Sequence, residues 1–211
     1  MPRTPLIDPD GFFREHPDPS LQAPAILLVV VSIVQAILHE GILIGLRGSL
    51  ELLFVFPGVV LVSFGAILVA GLVVYPLYWI GVAGFFYLVS LWFDGSGTFR
   101  RVVAYFGWMW APYLLGLLVV GIPLLVVFPE GVISVAEDRF FIEAFTERLT
   151  LIIRMIQAVS LLVTLWTAYI WVYALKHGRG LTRRAATITI GVPIGIQLFL
   201  WIALQLFYPP I

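Results

Sequence analysis

A chain of 211 residues that is 61% hydrophobic and only 11% charged, with a mean hydropathy of +1.05, lies far outside the soluble range, where charged residues alone make up about 25%. Zero net charge and a pI of 6.8 give no global field to draw it to nucleic acid, which is not expected as a partner. The absence of cysteine excludes disulfides, thiolate chemistry and Cys-ligated metals.

In chain order, residues 1–22 read as a polar, proline-rich tail. Met1-Pro2-Arg3-Thr4-Pro5 does not open an apolar run, so a cleaved signal peptide is not expected. Residues 23–211 then read as one membrane domain, because the segments between its apolar runs are too short to bury a core of their own. The apolar segments run over Ala23–Leu43, Leu52–Phe93, Val102–Phe128, Leu149–Leu175 and Ala185–Phe207. Four have ordinary spanning length, since about 20 residues cross about 30 Å of hydrocarbon. The second carries no charged side chain and is about twice too long for one perpendicular crossing.

Basic residues decide the count. Five crossings with the N-terminus in the cytoplasm place Arg3, Arg14, Arg100, Arg101, Lys176, Arg179, Arg183 and Arg184 inside and leave Arg47, Arg139 and Arg148 outside, whereas six crossings remove the bias. The expected fold is therefore an all-α polytopic bundle of five transmembrane helices (23–43, 69–93, 102–128, 149–175, 185–207) in the cell membrane, with the C-terminus outside. The surplus of the long segment is assigned to an extra interfacial or re-entrant helix over residues 50–66, with breaks expected at Pro57-Gly58 and Pro76.

Asp94-Gly95-Ser96-Gly97 reads as a turn whose glycines can take positive φ, and Thr98 as the cap of the following helix. Residues 129–150 mix Glu130, Glu137, Asp138, Glu143 and Glu147 with Phe140, Phe141 and Phe145, the pattern of a short amphipathic surface helix.

Intramembrane charge points to function, and it is scarce here. Arg154, three residues before Gln157, is the candidate polar site; the plainer reading is that it snorkels or pairs with Glu147, Glu143 or Glu51. His39-Glu40 ends the first span without a His-Glu-x-x-His pattern, so no metal is expected. Gly95-x-Gly97 has Arg100 where a dinucleotide loop wants its third glycine, Lys176 lies in no phosphate loop, and no serine sits in a nucleophile elbow. No catalytic residue or cofactor is expected. Gly41 with Gly45 and Gly191 with Gly195 have the spacing for close helix approach, and Trp92, Trp108, Trp110 and Trp171 fit interfacial anchors.

Several local patterns in fixed order resemble the Yip1 family of five-span membrane proteins. They are Pro9 with Phe12-Phe13 in the tail, Gly95-Ser96-Gly97-Thr98-Phe99 after the second span, Tyr105 and Ala111-Pro112 in the third, Gly180-Leu181-Thr182 with Arg184-Ala185 opening the fifth, and then Pro193. The eukaryotic branch is implicated in vesicle traffic and contacts with prenylated Rab GTPases, but its Asp-Leu-Tyr-Gly-Pro motif does not occur in this tail. The resemblance implies a non-enzymatic integral membrane protein with a cytoplasmic N-terminus. Eleven arginines against one lysine suit a prokaryotic, including archaeal, source.

Two functions follow as expectations. One is a membrane-organising scaffold that meets a protein partner or anionic lipid through Arg100, Arg101, Lys176, Arg179, Arg183 and Arg184. The other is a small-solute or lipid transporter, or its accessory subunit, suggested by the broken second segment. Besides the bilayer, a second copy of the chain stands as a candidate partner.

Overall fold

The computed structural model describes residues 3–46, 57–127 and 139–207, and among them every regular element is helical. Helix α1 (Pro9–Glu15) starts where the Asp8 carboxylate accepts the Gly11 N–H at 2.9 Å and Pro9 occupies the first turn. Then come α2 (Gln22–Leu46), α3 (Pro57–Ser90), α4 (Phe99–Phe106), α5 (Trp110–Val127), α6 (Arg139–Arg179) and α7 (Arg183–Phe207), with single 3-10 turns at Leu91–Phe93 and Gly107–Met109. Five stretches are long and apolar enough to cross a membrane: Gln22–Ile42, Gly58–Phe93, Phe99–Leu125, Thr150–Arg179 and Arg183–Leu204. The protein is an all-α membrane protein.

Two local expectations are corrected. A break between residues 66 and 69 is absent, because α3 continues through Pro76 for 34 residues. A membrane helix tolerates proline when neighbouring groups take up the freed carbonyl, and this segment has no charged residue that would favour leaving the helix. Residues 50–56 lie outside the described residues. The expected separate surface helix of the 129–150 region is, from Arg139 onward, the first part of the 41-residue α6; residues 129–138 lie outside the described residues.

The fold divides into two compact units, Met1–Leu28 with Pro76–Pro112 and Leu162–Ile211, and Val29–Tyr75 with Tyr113–Leu161. In the first, Phe86, Phe106 and Trp171 form an aromatic core, Phe106 and Trp171 stacked at 5.1 Å. This cluster joins α3, α4 and α6 there, and such aromatic pairs add about 1 kcal/mol each to the area they bury. Trp79 donates its indole N–H to the Val103 carbonyl at 2.7 Å. Gly107 faces Trp79 and Pro24 so closely that no Cβ fits, which is why a glycine stands at that crossing.

In the second unit the close approaches are Gly71 to Ser32, Gly121 to Leu38 and Gly41 to Leu125. Gly41 thus makes a close approach, while its expected companion Gly45 lies outside the residues whose side-chain surroundings are described, and Gly191 and Gly195, on the α7 of the first unit, face open space.

Candidate interaction face

Arg179, the last residue of α6, is only 2% exposed. Its Nε donates to Ser90 Oγ at 2.9 Å, its two terminal nitrogens donate to the carbonyls of Gly95 and Gly97, and its guanidinium carbon lies 4.2 Å from the centre of the Tyr87 ring. Among the described residues no carboxylate pairs with it. A buried cation must be hydrogen-bonded to be tolerated, and the five-donor fork of arginine suits a loop that presents carbonyls from two directions.

The loop answers in kind. The Ser96 N–H donates to the Arg179 carbonyl at 2.9 Å. A Cβ at Gly95 would meet the guanidinium and one at Gly97 would overlap the Gly178 carbonyl, so both glycines are required by close approach. Neither has positive φ; the left-handed positions are Asp94, at 56°, and Gly180, at 67°. The sequence reading had the right turn with the wrong reason for its glycines. Thr98 does cap α4, its hydroxyl accepting the Arg101 N–H at 3.4 Å.

The tail packs against the same unit. Phe13 is buried against Tyr105 at 4.6 Å, whose hydroxyl donates to the carbonyl of His16 at 2.6 Å. Phe12 packs edge-on against Trp108, and Trp166 donates its indole N–H to the Leu6 carbonyl at 3.0 Å. Asp10 lies 2.6 Å from Lys176 Nζ and 2.7 Å from His177 Nε2. The hydrogen bond from Lys176, then that from His177, hold its carboxyl below the usual carboxylate value, against the opposing effect of burial.

A match to the Yip1 domain model over residues 4–204 decides the family. The chain belongs to the Yip1 family. No curated protein matches it, and no solved structure does. The positions that carried the resemblance meet in the structure of this Yip1 protein: Phe13 on Tyr105, Gly95 and Gly97 on Arg179, and Gly180 in the left-handed turn before α7. Pro9 lies in the first turn of α1, Phe99 packs edge-on against Tyr87, Pro112 is buried in α5 and Pro193 stands inside α7.

The basic residues separate. Arg179 is structural and leaves the accessible face. Lys176 is neutralised by Asp10 and Arg101 makes a 3.5 Å contact with Asp18, while Arg100, Arg183 and Arg184 are exposed and have no carboxylate partner among the described residues. Arg154 is exposed and Gln157 half-buried, so the structure does not gather them into a pocket. His39 and Glu40 touch at 3.6 Å, and no cluster of three potential metal ligands exists among the described residues. Of the tryptophans read as anchors, Trp110 and Trp171 are core residues and Trp92 is 82% exposed.

Sequence reasoning missed Ser90 and Tyr87 as partners of Arg179, Asp10 as the tail's ionic contact, and a polar group inside the spans. There the Gln35 side-chain oxygen accepts from the hydroxyls of Tyr75 and Tyr113. The only available signal for the first was that Arg179 directly precedes Gly180 of the family pattern.

Proposed function

We propose that this protein is a non-enzymatic, membrane-organising scaffold that recruits a partner through the end formed by the docked tail, the loop of residues 94–98 and the turn of residues 180–182, and that this end faces the cytoplasm. The observation that supports the reading is the pre-formed polar surface there: tail helix, loop and turn are joined through Arg179, Asp10 and Tyr105, leaving Arg100, Arg183 and Arg184 accessible. A rigid surface binds without a large ordering cost, and positive-inside bias places arginines in the cytoplasm.

Crosslinking and mass spectrometry of the tagged chain in its native membrane test it. A specific partner lost in Arg100→Gln/Arg183→Gln/Arg184→Gln, with membrane insertion preserved, supports recruitment; the same partners in both samples remove it. Transport is the second reading, favoured by the Gln35–Tyr75–Tyr113 group within apolar helices. Equal proteoliposome flux for wild type and Gln35→Leu would exclude that group from any pathway.

A further inference from the structure

Between the tail and the start of α4 lies a groove of about 300 Å³ lined by Asp18, Pro19, Ser96, Gly97, Thr98, Arg100 and Arg101. We propose that this groove binds the phosphate of an anionic phospholipid headgroup, held by the Arg100 and Arg101 guanidiniums and the Ser96 and Thr98 hydroxyls. It rests on the reading of this end as the interaction face and adds a lipid ligand to it.

Three observations favour this occupant. The cations are poorly neutralised: Arg100 has no carboxylate partner among the described residues, and Arg101 has only a 3.5 Å contact with an Asp18 carboxylate that is 96% exposed, a type of pair that contributes little. The first turn of α4 carries two arginines and no acidic residue, the reverse of what the helix dipole favours, so a bound anion would relieve both effects. Beside the loop, Trp92 presents an exposed indole, the amphipathic ring that settles at headgroup depth, and Phe99 adds an exposed apolar ring. A soluble phosphate compound would meet the same guanidiniums; the exposed rings are what favour a lipid.

Asp18 makes the proposal sharp, because it competes with the phosphate for Arg101. Loss of an arginine and loss of this carboxylate must therefore act with opposite signs. The purified full-length chain in neutral detergent is titrated with phosphatidylglycerol and, separately, phosphatidylcholine, and lipid adducts are counted by native mass spectrometry. Wild type is expected to retain phosphatidylglycerol, Arg100→Gln to weaken it about tenfold, and Asp18→Asn to strengthen it about threefold, as charge-assisted contacts allow. Arg14→Gln removes an equal charge from an exposed tail position outside the groove and is expected to change retention less than about twofold.

Equal weakening by Arg14→Gln and Arg100→Gln would mean diffuse attraction and overturn the groove; so would an unchanged or weaker Asp18→Asn. Displacement of the lipid by glycerol 3-phosphate at the lipid's own concentration would assign the site to soluble phosphate compounds and overturn the lipid assignment. Helicity and melting temperature of each variant must match wild type, and Ser96→Ala serves as a second groove variant if Arg100→Gln does not fold. The titration contains no protein partner, so its failure and the failure of partner recruitment are read separately.

Discussion

The two units solve opposite electrostatic problems. The unit with the tail holds eight cationic side chains and five carboxylates, and the other holds four arginines and seven carboxylates, so the chain's zero net charge hides a separation into a positive and a negative part. In the first unit, charge is built into the fold: Arg179 is enclosed by carbonyls and a ring, and Asp10 ties the tail to Lys176 and His177. In the second, the hydrogen-bonded group that joins the helices is neutral, two tyrosine hydroxyls on one glutamine, and the buried Glu40 carboxylate lies beside His39 at 3.6 Å. A buried charge needs several fixed partners to offset desolvation, whereas a neutral amide needs one or two. The first unit is therefore expected to fail sharply when a partner is removed, and the second to yield gradually.

Arg179 is the place to break this contrast. Arg179→Met strips donors from Ser90 and from the Gly95 and Gly97 carbonyls, and is expected to cost about 4 kcal/mol; Arg179→Lys recovers little, since one ammonium cannot reproduce the fork. Thermal melting in detergent measures both, and a lysine variant as stable as wild type would show that charge alone, without geometry, holds the loop.

Phe13→Ala comes next. It removes a buried ring from the tail contact, and docking is expected to weaken by about 3 kcal/mol while the spans stay folded. Because the chain has no cysteine, a fluorophore on Ser20→Cys reports release of the tail directly; anisotropy unchanged by Phe13→Ala would deny the ring its anchoring role.

The same label reads the Asp10 contact. Its carboxyl is held below the ordinary aspartate value of 3.8, so its contribution is fully present above that value and is lost as pH falls through the still lower folded-state value. Docking should hold from neutrality down to about pH 4 and weaken only below it; Asp10→Asn should remove that acid step. An acid step that survives in Asp10→Asn would assign it to another group.

The smallest effect is expected in the second unit. Gln35→Leu should cost about 0.6 kcal/mol, the usual size of a hydrogen bond between membrane helices. A loss comparable to that of Arg179→Met would erase the distinction between the units.

Much of this was legible beforehand because the bilayer imposes a length. The five crossing segments could be read from hydropathy, and the Thr98 cap from a hydroxyl placed before a helix start. The continuity of α3 through Pro76 was not legible, since a proline marks a break in water and is accommodated among packed helices. The tail reads as polar, proline-rich and too short to bury a core of its own, yet Phe13 is buried, because its partner Tyr105 is supplied from 92 residues away.

By itself, then, the sequence determined the class, the number of apolar spans, the family pattern and the concentration of arginine near certain helix ends, all of which depend on local composition and spacing. Only tertiary structure decided which arginine is interior and which are accessible. Arg179, Arg183 and Arg184 stand within six residues of one another, and their fates differ because the 94–98 loop brings its carbonyls to the first and to neither of the others. Desolvation is settled by what packs against a side chain, and those neighbours come from distant parts of the chain.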